Sequence, residues 1–213
     1  LFFFVLMLGV SSPLFAEESV FKHPITEKSL PSTLTELSRQ IGGFQSMRSD
    51  FVQTKKISVL KFPLITKGRF LYAADYGVLW KIITPFEAEI VITSAGYFER
   101  KKGEMLAATP AGAKPQIQSY LNAFLLLFSG KFKELQQLFS LSFLQSGNDW
   151  VIGFTPRGGL AKVIQNIQLS GSLAARVDNL SIKEVNGDFT KIQFHDTAYS
   201  TQTLSESEQK LFQ

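Results

Sequence analysis

Apolar and polar residues alternate one by one along most of this chain, the two-residue period of strands whose faces meet different surroundings. From Arg48 onward "SDFVQTKKISVL", "TKGRFLYA", "GVLWKIIT", "AEIVIT", "GYFERKK" and "EMLAAT" follow one another, separated by Pro-Phe, Ser-Ala-Gly and Lys-Gly turns. After an interruption come "LSFLQSG", "DWVIGFTP", "KVIQNIQLS", "ARVDNLSIKEV" and "FTKIQFHD", with hairpin turns at Asn148-Asp149 and Asn186-Gly187-Asp188. No helical period separates successive strands within either run, so neighbours are antiparallel. The fold class this implies is mainly β with helices, α+β. It is one long antiparallel sheet, curled enough to wrap something, with a few helices against it.

Three stretches break the alternation. Pro31-Ser32-Thr33 starts a helix with Leu34, Leu37 and Ile41 at helical spacing and Gly42-Gly43 as its stop. "KPQIQSYLNAFLLLFSG" places Ile117, Tyr120, Leu121, Phe124, Leu127 and Phe128 along one broad side. "KFKELQQLFS" then reads as a second helix through Phe132, Leu135, Leu138 and Phe139. Leu125 and Leu126 make the longer helix apolar nearly all round. Such a helix is normally buried on several sides, yet this one stands alone between sheet segments.

Between Phe62 and Phe86 the apolar side chains exceed what an ordinary core needs. Alternation puts Phe70 and Tyr72 on one face, and Val78, Trp80 and Ile82 on one face, leaving Lys81 outward. Ile90 and Ile92 share a face by the same rule. Either that face meets another protein layer, or it meets something that is not protein.

Composition narrows the choice. Of 213 residues, 45% are hydrophobic, and 20 are Phe against two Trp, a side chain suited to surfaces that stay fully apolar. The net charge of +4 is mildly basic, which favours an acidic partner or an anionic membrane surface. Lys and Arg are scattered in pairs such as Lys55-Lys56 and Lys101-Lys102, so no nucleic-acid partner is expected. There is no cysteine, which excludes disulfides, thiol catalysis, Cys-ligated zinc and a lipidated N-terminal Cys.

The first stretch, "LFFFVLMLGVSSPLFAEES", has an apolar run from Leu1 to Val10 and a plausible cleavage site after Ala16. The run is too short to span a bilayer. It reads as a signal peptide over residues 1–16, truncated at its start and therefore without a Met or basic n-region. Residues 17–31 read as an extended leader, and residues 32–213 as a single domain, with no linker or repeat to mark a second. Export without disulfides leaves packing alone to hold the fold.

Catalytic signals are sparse. The two histidines, His23 and His195, lack the neighbours of a metal site or an acid–base pair. No G-x-S-x-G elbow is present, and Gly42-Gly43 and Gly158-Gly159 lack a phosphate-loop context. Glu87 and Glu89 read as a solvent face, and Asn179-Leu180-Ser181 is a sequon in mid-strand. Neither an enzyme nor a bound cofactor or metal is expected.

The order and spacing of several marks resemble the LolA family, periplasmic carriers that ferry lipoproteins to the outer membrane. "DFVQTK" holds Phe51-x-Gln53, Gly68 opens a strand with Phe70, and Trp80 is followed after four residues by Pro85. "TSAG" spans Thr93 to Gly96 where the family has a Ser-Asp-Gly turn. "AFLLLFSG" resembles the family's lid-helix segment, and "WVIGFTP" a strand ending in Thr-Pro. The resemblance covers roughly Ser32 to His195.

It implies an unclosed antiparallel β-barrel with a helical lid over an apolar cavity. The cavity would bind acyl chains of lipoproteins or lipids through Phe51, Phe70, Tyr72, Val78, Trp80, Ile82, Ile90 and Ile92, closed by Phe124, Leu127 and Phe128. It further implies a monomer in the periplasm of a Gram-negative bacterium, served by an inner-membrane donor complex and an outer-membrane acceptor. Two departures point to a divergent member. The family's arginine six residues before the tryptophan, usually followed by proline, is replaced by Ala74 and Asp75, and its Phe-rich C-terminal strand with Pro-Gly is not evident in "YSTQTLSESEQKLFQ". An alternative remains open: a non-enzymatic envelope adaptor whose apolar cleft grips a membrane-protein partner. An envelope hydrolase or isomerase acting on a lipid is a third, weaker reading.

Overall fold

Strands joined by short turns pair with each other, and this local rule accounts for nine of the ten pairings in the sheet. The strands are β1 (Ser46–Lys56), β2 (Leu64–Ala73), β3 (Gly77–Thr84), β4 (Ala88–Thr93), β5 (Gly96–Lys101) and β6 (Glu104–Pro110). They continue as β7 (Phe139–Ser146), β8 (Asp149–Pro156), β9 (Ile164–Ser172), β10 (Arg176–Glu184) and β11 (Phe189–Ser200). The computed structural model describes residues 19–26, 30–101, 104–110, 115–172 and 176–212, with only the backbone for 115–120. The expected signal segment lies outside the described residues.

The sheet order is β6-β5-β4-β3-β2-β1-β11-β10-β9-β8-β7, antiparallel throughout. The one non-local pairing, β1 with β11, welds two meanders into a single eleven-stranded sheet. Its edges β6 and β7 do not pair, so the barrel is unclosed, as expected from the sequence. They are nevertheless consecutive along the chain. The connection between them therefore crosses the width of the sheet, and it carries helices α2 (Pro115–Phe128) and α3 (Phe132–Leu135). Helix α2 touches β4 and β5 on one side and the 3-10 turn Gly158–Lys162, between β8 and β9, on the other. This crossing answers why so apolar a helix stands alone in the sequence: it is buried against both halves of a curved sheet.

Helix α1 (Ser32–Gly42) buries Leu34, Leu37 and Ile41, the face its spacing foretold. The second predicted helix is shorter than expected. Only Phe132–Leu135 is helical, Leu138 lies in a turn, and Phe139 opens β7, opposite Pro156. Phe139 and Leu141 alternate into the core beside Phe154, so strand pairing outweighs helical spacing there.

Among the described residues of the expected leader, Val20–Lys22 forms a 3-10 turn and Pro24 bridges to Ser142 of β7. The Ile25 amide donates to the Leu141 carbonyl (2.8 Å), and the Phe143 amide to the His23 carbonyl (3.1 Å), which caps the β7 edge. Capping an edge withdraws its unpaired amides from other chains. Val20 is fully buried. The C-terminal segment folds back over the outer face of the sheet as a strap. Its helix α4 (Glu206–Gln209) begins with a capping box between Ser205 and Glu208. Leu204 before it and Phe212 beyond it cover Leu71, Ala73, Leu79 and Val91. Strands β2 and β3 are thus buried on both faces where the strap lies, which accounts for Leu71 and Leu79.

Candidate functional site

Alternation and pairing register together assemble the inner face. Phe70 of β2 lies opposite Trp80 of β3, and Trp80 opposite Ile90 of β4; Tyr72 and Val78 pair likewise, with Val78 opposite Ile92. On the other flank Phe51 of β1 faces Phe194 of β11. Phe51 lies opposite Gly68, where a Cβ would sit 1.9 Å from the Lys81 carbonyl oxygen. Only glycine allows the backbones to come this close, at a register shift that bends the sheet around the cluster.

The rings interlock. Phe51 and Trp80 lie 4.4 Å apart by centroid, Phe70 and Trp80 5.2 Å, and Phe70 and Phe194 5.1 Å. Helix α2 adds Phe128, 4.8 Å from Phe70 and 6.2 Å from Tyr72, and Phe124, 6.2 Å from Trp80. Such tilted and edge-on pairs contribute about 0.5–1.5 kcal/mol each beyond area burial. Helix α2 thus lies against the inner face through Phe124 and Phe128.

All eleven side chains expected to line a cavity belong to this one cluster. Phe51, Phe70, Tyr72, Val78, Trp80, Ile82, Leu127 and Phe128 are buried, while Ile90, Ile92 and Phe124 are half-buried against it. Ile117 and Tyr120, on the same predicted helix side, have side chains outside the described residues. Phe194, Ile192 and Met47 also belong to the cluster and escaped the sequence reading. Alternation in "FTKIQFHD" marks Ile192 and Phe194 as one face; only the β1–β11 pairing shows that it is this face.

Electrostatically the cluster is bland, and Tyr72 brings a hydroxyl to it. Burial, with a smaller contribution from the Asp75 charge, pushes the Tyr72 hydroxyl up to about 12. Tyr72 therefore stays neutral at physiological pH. Thr66 lies on the inner face, two residues before Gly68, and its buried Oγ1 has no hydrogen-bond partner among the described residues. Outward, Lys81 donates to Glu89 at 2.7 Å.

The lid is tethered at its C-terminal end. Gly130, just beyond α2, has φ +70°, and a Cβ there would lie 2.5 Å from the Ser38 carbonyl oxygen and 2.6 Å from the Gly42 nitrogen. The Ser38 hydroxyl donates to the Gly130 carbonyl. The turn after α2 is thus clamped on α1.

On the outer face a hollow of about 410 Å³ lies beside the strap, lined by Arg48, Asp50, Arg69, Leu71, Leu79 and Leu211 among others. Its charged rim distinguishes it from the aromatic cluster. Among the described residues no group of three or more His, Asp or Glu side chains could hold a metal ion. No helix among them is long and apolar enough to cross a membrane.

No family model matches the chain, and no curated protein matches it. Among solved structures it is similar to a DUF1329 family protein from Desulfovibrio piger, at 11% identity over 84% of this chain and 96% of that one, with a TM-score of 0.48. It is also similar to a LolA superfamily protein from Nitrosomonas europaea (8% identity, 86% and 98% coverage, TM-score 0.42). A third is a putative outer membrane lipoprotein-sorting protein domain from Vibrio parahaemolyticus (9%, 84% and 95%, 0.44).

Proposed function

We propose that this protein is a periplasmic carrier that takes acyl chains of lipoproteins or lipids between α2 and the inner face of the sheet and passes them toward the outer membrane. One observation supports this above the rest. A continuous aromatic and aliphatic face, from Phe51 to Ile92, is covered by the apolar helix α2 through Phe124, Leu127 and Phe128. A helix takes part in no strand pairing, so it can lift from this face without unpairing a strand.

The magnitudes allow exchange. Fully burying a large apolar side chain contributes about 1.5–3 kcal/mol, so freeing Leu121, Leu127 and Phe128 costs roughly 5–9 kcal/mol. An acyl chain of about sixteen carbons gains roughly 12 kcal/mol on burial at about 0.8 kcal/mol per methylene. The surplus is small once the cost of immobilising the cargo is subtracted. Binding is then firm enough to carry and weak enough to release, as handover from an inner-membrane donor to an outer-membrane acceptor requires. No reaction is catalysed in this reading, no cofactor is used, and the carrier acts as a monomer.

The test is native mass spectrometry of protein purified from its own envelope without detergent, followed by organic extraction and uptake of a fluorescent fatty-acyl probe. A co-purifying lipid or acylated peptide, and probe uptake reduced in a folded Trp80→Ala variant, are expected. An empty protein that takes up no probe would overturn the carrier reading and favour a cleft that grips protein.

A further inference from the structure

The strands β1, β3 and β10 all end at one end of the sheet, so the loops 57–63, 85–87 and 185–188 gather there. The first loop is unusually apolar for an exposed segment. Val59 is 86% exposed and Phe62 71%, and Leu60, Leu64, Ile65 and the neighbouring Phe86 are each about half exposed. Pairing of Lys67 with Thr84 holds the start of β2 beside the turn that carries Phe86. Single exposed apolar side chains need no account, but six from one loop, the start of β2 and the adjoining turn form a patch of the kind that marks an interaction site.

The loop is anchored. The Ser58 amide donates to the Asp188 carboxylate at 2.8 Å, and the Leu60 amide to the Ile57 carbonyl at 2.9 Å. The apolar tips therefore project from a held backbone.

Charge identifies what they meet. Between Phe51 and Gly68 the sequence holds Lys55, Lys56, Lys61 and Lys67 and no carboxylate, while Arg69, farther along β2, lies 3.9 Å from Asp50. Of the acids in the adjoining turns, Glu184 lies 3.3 Å from Lys55, Asp188 is bound to Ser58, and Glu87 is exposed. The Lys61 ammonium sits 5.6 Å from the Phe62 ring centroid, so cation and apolar tip are presented together. We propose that this end of the sheet docks on the surface of an anionic phospholipid bilayer. Val59, Leu60 and Phe62 enter the boundary between headgroups and acyl chains, and the surrounding lysines meet lipid phosphates. A projecting apolar loop ringed by ammonium groups suits a deformable anionic layer over hydrocarbon. The inference stands on this rim alone and does not require that the inner cluster carry cargo.

Vesicle flotation with phosphatidylcholine, with and without phosphatidylglycerol, tests it. Binding is expected only with the anionic lipid, weakened by salt, and reduced at least about tenfold in the Val59→Asp/Phe62→Asp double variant. Both positions are exposed, so the melting temperature should hold. As a second measurement, the indole introduced by Phe62→Trp should be quenched by brominated acyl chains. One introduced by Asn148→Trp, at the opposite end of the sheet, should not be. Absence of binding, equal binding to neutral vesicles, binding unchanged in the double variant, or quenching only at position 148 would each overturn the proposal. Formation of a dimer in place of vesicle binding would do so too, and would assign the rim to a second copy of the chain.

Discussion

Phe70 on β2 and Phe128 at the C-terminal end of the lid helix stack with ring centroids 4.8 Å apart. Fifty-eight positions separate them in the sequence, and their contact joins α2 to the sheet. Phe128→Glu would place a carboxylate among Phe70, Tyr72 and Phe194, where an unpaired charge is strongly disfavoured. Amide exchange in α2 is expected to accelerate while β1 and β2 stay protected, and acyl-probe uptake to fall. Unchanged exchange in α2 would mean that the helix is held elsewhere.

Gly130→Ala should destabilise the fold by about 1–3 kcal/mol, since the residue is left-handed and its new Cβ would meet the backbone of Ser38 and Gly42. Chemical denaturation measures this. A neutral result would show that the turn can move off α1 without loss.

Glu208 gives the strap a pH dependence. Hydrogen bonds from the Ser205 hydroxyl, from Arg48 (2.5 Å) and from the Ser205 amide hold its carboxyl down at about 2, below the ordinary 4.5. A depressed carboxyl contributes stability above its ordinary pKa and loses it as pH falls through the folded value. Strap attachment should therefore weaken between pH 4.5 and about 2. Glu208→Gln should weaken it at neutral pH and flatten that dependence. Amide exchange of residues 204–212 against pH reads both.

Thr66→Val removes a buried hydroxyl that has no partner among the described residues. Because an unmet buried hydroxyl costs about 1–3 kcal/mol, the substitution should be neutral or stabilising by up to about that amount in thermal melts. Marked destabilisation would reveal a hydrogen bond that the Thr66 hydroxyl makes.

The sequence by itself determined where the strands lie and which way their side chains face. Gly77–Thr84, Ala88–Thr93 and Asp149–Pro156 begin and end where the alternation does, because turn residues stop it sharply on both sides. The same period put Phe70 with Tyr72 and Val78 with Trp80 on one surface before any neighbour was known. The Ser205–Glu208 capping box was equally legible as a helix start, though the sequence reading passed over it. Partners were another matter. A two-residue period names a face but not the strand beside it, so the join of β1 to β11, and with it the place of Phe194 in the cluster, came only from the tertiary structure. Leu71 and Leu79 fell within the apolar excess between Phe62 and Phe86 until a strap more than a hundred residues later in the chain covered them. The lone apolar helix likewise found its setting only when β6 and β7 took opposite edges and the chain between them had to cross the sheet. Local pattern reflects the backbone's own geometry. Long-range pairing reflects which buried surfaces match, and that is settled only when the whole chain packs.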